Sequence, residues 1–241
     1  MKKIIFSLCI ILACSACQTN LSFISYNIQH GKAADGSTST LQRISQIIKG
    51  HRADVVFLQE LDSMNKRTPL DEAKVLGDMT KMYAQYGATI NYAGGKYGIA
   101  LLSKERPISV RKIKLPGREE GRAFLLAEFK SYYAGCTHLS LTDDDRLESA
   151  KIIVSIISKL DKPVFIGGDF NDKPYSATYN YLAKSLECLS DTAQHTYPAD
   201  NPKETIDFIW AKDFKGKVLH HETIDEPTAS DHRPILVKVK R

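Results

Sequence analysis

The sequence predicts an α+β fold in which packed sheets are covered by helices, and three observations lead to it. Short apolar runs of strand length alternate with amphipathic stretches of helical period. The 241 residues, 43% hydrophobic and 25% charged, are enough for one sizeable core. No low-complexity tract, internal repeat or Pro/Gly-rich linker divides the chain, so one domain is expected after the leader.

Residues 21–27 read as a first strand, and residues 31–36 as a loop of small and polar side chains. Leu41, Ile44, Ile47 and Ile48 then recur at helical spacing, with Ser39 or Thr40 placed to cap that helix and Gly50 to end it. Residues 54–59 form a β-branched and aromatic run short enough for a buried strand. Residues 71–86 are expected to be helical, with Leu76, Met79 and Tyr83 on one face. Strands are expected over 98–103, 123–129 and 132–139. Thr142 and Asp143 suit the start of a helix whose Leu147, Ile153, Ile157 and Leu160 face a core. A strand over 163–166 follows, then a short helix near 177–184 and strands over 206–211, 217–222 and 234–238.

Residues 1–17 differ from the rest. Lys2 and Lys3 precede an apolar run over 4–12 that is too short to span a bilayer as a helix, and the small residues Ala13, Ser15 and Ala16 follow, which is the pattern of an export signal. The small residues lead into Cys14 and Cys17, and this resembles a bacterial lipoprotein cleavage box. Cys17, preceded by Ser15 and Ala16, fits better; Cys14, preceded by Ile11, Leu12 and Ala13, is the alternative. The expectation is a leader over 1–17, one domain over 18–241, and export with a lipid anchor in the bacterial cell envelope. Loss of Lys2 and Lys3 takes the formal charge from +5 to +3, too weak a balance to argue for nucleic acid. Cys136 and Cys188 lack metal-site spacing, but could pair in an oxidising compartment.

Several apolar strands end in one acidic, amide or imidazole residue: Asn27, Glu60, His138, and the pair Asp169 and Asn171. A carboxylate directly after a buried run is costly unless paired, exposed or bound to a metal, so repeated placement points to a shared electropositive centre. A hard, oxygen-liking cation such as Mg²⁺ or Mn²⁺ fits best. In Gly167-Gly168-Asp169-Phe170-Asn171 the glycines allow close backbone approach, while acid and amide, two apart, can face one side. Ser230-Asp231-His232 sets an acid beside an imidazole just before the last strand.

In order and spacing these motifs resemble the endonuclease/exonuclease/phosphatase superfamily: the Asn of Ser25-Tyr26-Asn27, Gln59-Glu60, Thr137-His138-Leu139, Gly168-Asp169-Phe170-Asn171, Ile206-Asp207-Phe208 and Ser230-Asp231-His232. The resemblance spans nearly all of the chain after the leader. It implies a four-layered α/β/β/α sandwich, two mixed sheets packed face to face with helices outside, and an active site at one edge of the sheets. It also implies roles. Glu60 would be the principal metal ligand, with Asn27 and Asp231 completing the metal's environment, and Asp169 would position or deprotonate the attacking water. Asn171 would hold the scissile phosphate. His232 would stabilise the phosphorane-like transition state with its ring oriented by Asp207, and His138 would be a second donor or an acid toward the leaving group. Arg122 matches a phosphate-binding arginine. Gln29 and Ile99 depart from a compact bacterial subgroup in which those positions are often histidine and asparagine.

The function expected is exported, metal-dependent hydrolysis of a phosphomonoester or phosphodiester in a small molecule or a lipid. A secreted nuclease is the alternative within the same chemistry, and a non-catalytic lipoprotein that keeps the fold to bind is the alternative outside it. His30, His220-His221 and Asp143-Asp144-Asp145 read as loop, edge strand and helix start.

Overall fold

The computed structural model describes residues 20–36 and 39–241; the leader and its two candidate lipidation cysteines lie outside them. In chain order the elements are β1 (Asn20–Asn27), α1 (Leu41–Gly50), β2 (Val55–Ser63), α2 (Glu72–Thr80), β3 (Tyr83–Tyr92), β4 (Gly95–Ser103), β5 (Ser109–Leu115), β6 (Arg122–Glu128) and β7 (Tyr133–His138). There follow α3 (Asp143–Ile157), β8 (Val164–Asp169), α4 (Ala177–Leu182), β9 (Glu187–Cys188), β10 (Asp207–Lys212), β11 (Lys217–Thr223) and β12 (Ile235–Lys240).

Two six-stranded mixed sheets form, ordered β11-β12-β1-β2-β4-β3 and β5-β6-β7-β8-β10-β9. Side chains alternate across each strand, and in the central strands both sides are apolar because both faces are covered. In β2, Val55 and Phe57 enter the core between the sheets, whereas Val56 and Leu58 pack under α1 and α2. Phe23, Phe57 and Phe165 stack through that central layer, with Phe23 and Phe165 centroids 4.4 Å apart. On the far side, Ala150, Ile153 and Ile157 of α3 and Leu182 of α4 cover Phe124, Ile166 and Trp210. The layers are therefore α/β/β/α, as the resemblance implies.

One expected helix is corrected. It stops at Thr80, because Lys81 turns left-handed (φ 58°) and its N–H closes onto Gly77 O, and the chain from Tyr83 joins the sheet beside β4. Met79 and Tyr83, expected on a buried face, are exposed. β5 and the two-residue β9 are additional edge strands. α2 is capped by Asp71 and α4 by Ser176; the Thr40 hydroxyl instead donates to Ala229 O, tying the start of α1 to the loop before β12. Cys136 and Cys188 are both free thiols, so the disulfide left open by the sequence is not formed.

Candidate active site

Strand register assembles half of the site. β7 runs parallel to β8 and β10 antiparallel to it, which sets His138 opposite Asp169 and Asp169 opposite Asp207. Below them the sheets approach closely, since a Cβ on Gly167 would lie 2.1 Å from the Phe57 ring of the facing sheet; within its own sheet, one on Gly168 would lie 2.3 Å from Thr137 O of β7. This is the close approach the paired glycines predict.

From the facing sheet, β1 ends at Asn27, on the same side as Phe23 and Ser25. Its Nδ2 donates across the gap to Asp169 Oδ2 (3.1 Å) and to Glu60 Oε1 (3.0 Å), while its Oδ1 accepts from the Gln29 N–H at 3.2 Å. Asn27 thus binds the two acids together.

Glu60 reaches this place through a bulge. Strict alternation would put it with Val56 and Leu58, under the helices. The β2–β4 register instead shifts between Leu58 and Leu61, and Glu60 has φ 62°. Gln59 faces Ser25 and Cys136 between the sheets, Leu61 returns to the helix side, and the extra residue swings the Glu60 carboxylate into the cleft. Tyr97 from β4 lies close to that carboxylate, and burial together with the Glu60 charge pushes its phenol pKa up. Tyr97 is in turn packed by Arg67, whose guanidinium lies 5.7 Å from its ring centroid and forks onto the buried Asp62 at 2.7 and 2.8 Å. Asn171, also left-handed (φ 49°), folds back so that its N–H donates to Asp169 Oδ1 (2.9 Å) and its Nδ2 to Leu139 O (3.0 Å).

The loop before β12 supplies Asp231 and His232. Ser230 Oγ donates to Asn27 O at 2.7 Å and pins the loop to the end of β1. His232 Nδ1 lies 2.9 Å from Asp207 Oδ2 and its Nε2 3.6 Å from Asp169 Oδ2, with the Tyr197 ring packed against it, centroids 4.8 Å apart. Burial opposes charge on this ring, but Asp207 and Asp169 overcome it and raise its pKa to about 10. The second imidazole behaves in the opposite way. His138, whose Nε2 is 3.6 Å from Asp169 Oδ2, is kept neutral by burial and by the nearby Arg122 and His232. Asp169 itself is raised to about 7, chiefly by burial, with His232 opposing. Its Oδ2 is the point on which Asn27, His138 and His232 converge.

These groups border a cavity of about 930 Å³. Glu60, Arg122, His138, Asp169, Asn171, Asp231 and His232 line it, and the buried Asn27 and Asp207 support it from behind. His30, His220, His221 and the Asp143–Asp145 run do not line it. Arg122 does, but its guanidinium already meets Glu119 (3.1 Å) and Glu120 (2.9 Å). Sequence reasoning missed Tyr97, Tyr197 and these two glutamates as parts of the site. Nothing in a single sequence separates such residues from ordinary surface tyrosines and acids.

Asp169, Asp207 and His232 bring ligand-type atoms within 4.8 Å of one another. A charged imidazole has no lone pair for a metal, however, and this trio is held by its own hydrogen bonding. Among the described residues, Glu60 and Asp231 are the cavity carboxylates with no Lys, Arg or His ion pair. Two uncompensated hard oxygen donors beside Asn27 fit a divalent cation of the Mg²⁺ or Mn²⁺ kind.

Comparison with known proteins bears on the fold and the family. The chain is 25% identical over 257 residues to the uncharacterized protein YbhP of Escherichia coli K12, covering 92% of this chain and 97% of that one. The endonuclease/exonuclease/phosphatase from Bacteroides vulgatus superposes with a TM-score of 0.77 at 20% identity, over 92% of this chain and 98% of that structure. The mannosyl-6-phosphatase of Bacteroides thetaiotaomicron does so with a TM-score of 0.72 at 17% identity, over 91% and 99%. Residues 24–232 match the model of the endonuclease/exonuclease/phosphatase family, and the chain belongs to that family.

Proposed function

We propose that this protein is a metal-dependent phosphoester hydrolase, acting outside the cytoplasm on a small-molecule or lipid phosphate. The observation that carries the reading is the meeting of two sets of groups at one cavity: the uncompensated Glu60 and Asp231, and the buried Asp169 held between Asn27, His138 and His232. Glu60 and Asp231 would hold the cation, with Asn27, whose Oδ1 accepts from the Gln29 N–H, fixing the Glu60 carboxylate beside it through its Nδ2. When bound it supplies Lewis acidity and lowers the pKa of water.

Asp169, raised by burial, holds a proton more readily than an exposed carboxylate and so suits acceptance of one from the attacking water. His232, charged and fixed by Asp207, turns its Nε2 toward the cavity, where it can donate to a phosphoryl oxygen as negative charge grows. Neutral His138 offers a single N–H beside it. Asn171, whose Nδ2 donates one hydrogen to the Leu139 carbonyl, leaves the other amide hydrogen for the phosphate. The likeness to a mannosyl-6-phosphatase supports monoester hydrolysis as one admissible reaction.

The test is hydrolysis of p-nitrophenyl phosphate and bis-p-nitrophenyl phosphate with Mg²⁺ or Mn²⁺, with and without excess chelator, by the wild type and Glu60→Gln. Turnover that chelator abolishes, and a Glu60→Gln enzyme needing much more metal for half-activity, are expected. Full activity in chelator would remove the metal from the mechanism.

A further inference from the structure

Each lysine and arginine lining the cavity is already met by carboxylates. Arg122 sits between Glu119 and Glu120, Arg146 pairs with Asp143 and with Asp172 (3.3 Å), and Lys173 reaches Glu204 at 2.7 Å. The first two pairs are built in rather than draped on the surface. Arg122 and Arg146 are buried, and Glu119 is further held by Ser140 Oγ and the Leu141 N–H, both at 2.8 Å. Among the described residues, seven carboxylates line the cavity against these three cations. One phosphoryl group can be met by the cation site, His232 and Asn171. A second anion would find no cation that is not already shared with an acid, and would face carboxylates at close range.

One rim residue is conspicuous for the opposite reason. Tyr175 lines the cavity yet is 77% exposed, and it holds a left-handed backbone (φ 67°) that is unfavourable for an aromatic residue. Asn180 Nδ2 donates to the Tyr175 carbonyl at 2.7 Å, fixing the turn, and the Tyr175 ring stands 5.8 Å from that of Tyr179. A flat apolar face is thereby presented at the cavity, whose acids have spare oxygens that accept hydrogen bonds.

Resting on the hydrolase reading above, we propose that the substrate carries one phosphoryl group only, with no second anionic group, and that its remainder is a hydroxyl-rich ring, a singly phosphorylated sugar. The sugar's hydroxyls donate to the Glu119, Glu120 and Glu204 carboxylates, and its apolar face lies on Tyr175. Water forms the new P–O bond, the ester P–O bond breaks, and the proton lost by water is balanced by one gained by the leaving sugar oxygen, giving free sugar and inorganic phosphate.

The test compares a hexose 6-phosphate, a hexose 1,6-bisphosphate, glycerol 3-phosphate and phosphocholine. Turnover is measured with Mg²⁺, and binding separately by protection against thermal unfolding. The monophosphate should exceed the bisphosphate by about tenfold or more in kcat/KM and should protect at lower concentration. Glu120→Gln, which releases Arg122 from one acid, should narrow that ratio to about threefold or less. Tyr175→Ala should raise KM for the hexose phosphate about fivefold more than KM for glycerol 3-phosphate. A bisphosphate or phosphocholine handled as well as the hexose phosphate overturns the proposal, as does a protein that none of the four protects. If p-nitrophenyl phosphate is not turned over while the monophosphate still protects in preference to the bisphosphate, the hydrolase reading fails and the charge selectivity stands.

Discussion

Replacing Asp207 by Asn tests whether Asp207 and His232 act as one unit. The Asp207 carboxylate is buried, 2.9 Å from His232 Nδ1, and is the leading favourable influence on that ring. The ring's pKa rises from 6.5 to about 10 in spite of burial. At roughly 1.4 kcal/mol per unit, the surroundings favour the imidazolium by a net on the order of 4–5 kcal/mol after the cost of burial. If Asp207 supplies about half of this, its loss returns the ring to a neutral or weakly charged state and removes on the order of 2–3 kcal/mol from the transition state, roughly 10²-fold in turnover. Because the folded-state pKa is the higher one, the stability the pair contributes is complete below 6.5 and is lost as pH rises through about 10, where the ring itself gives up its charge. Steady-state kinetics on a chromogenic ester at saturating Mg²⁺, across a range of about pH 5–11, should show Asp207→Asn lowering kcat about 10²-fold and moving the alkaline limb toward neutral pH. The double variant Asp207→Asn/His232→Ala should resemble His232→Ala alone. Losses that multiply, or an alkaline limb that does not move, would refute the shared role.

Three further outcomes are expected. Asp169→Asn removes the proton acceptor while nearly preserving volume, so kcat should fall by roughly 10²–10⁴ with the melting temperature retained; a change confined to KM would assign Asp169 to binding. Glu72, buried in α2 with the Asp62 N–H at 2.7 Å, is raised from 4.5 to about 8 by burial. Its contribution to stability is therefore full below about pH 4.5 and lost as pH rises through about 8, a change of a few kcal/mol. Glu72→Gln should flatten the pH dependence of denaturant midpoints over that window, and an unchanged dependence would show that Glu72 is not titrating there. If Cys17 carries the lipid expected of the leader, Cys17→Ser should release the protein from the membrane fraction, since an acyl chain contributes about 0.8 kcal/mol per buried CH₂; unaltered fractionation would direct the same test to Cys14.

Much of the candidate site was legible because its residues end apolar strands, and strand ends can be read from hydrophobicity alone. Asp169, His138 and Asn27 belong to that group. Asp207 was legible only through its likeness to a family motif, since an acid opening an apolar strand is locally indistinguishable from a turn residue. The switch from α2 to β3 was not legible. Leu76, Met79 and Tyr83 keep helical spacing, and neither Gly nor Pro marks the left-handed Lys81. β5 was missed because an edge strand carrying Arg111, Lys112 and Lys114 hides its apolar alternation behind charge. Ile99, unexpected at its position, is buried in the layer between the sheets. It serves packing, and no polar group is available from it.

The bulge at Glu60 has a consequence for how this gene can change. The strand changes phase there, and the residues before and after it obey opposite parity. Deleting either bulge residue restores even alternation and leaves one side chain where two are needed. Without Glu60 the cleft loses its carboxylate; without Gln59 that carboxylate takes the vacated place between the sheets, against Ser25 and Cys136, where no cation compensates it. Inserting one residue earlier in β2 turns the whole Val55–Leu58 run inside out. Point substitutions can be sampled one at a time in this segment, but single-codon insertions and deletions are closed to it. Length in β2 is consequently expected to be inherited unchanged even where its composition drifts.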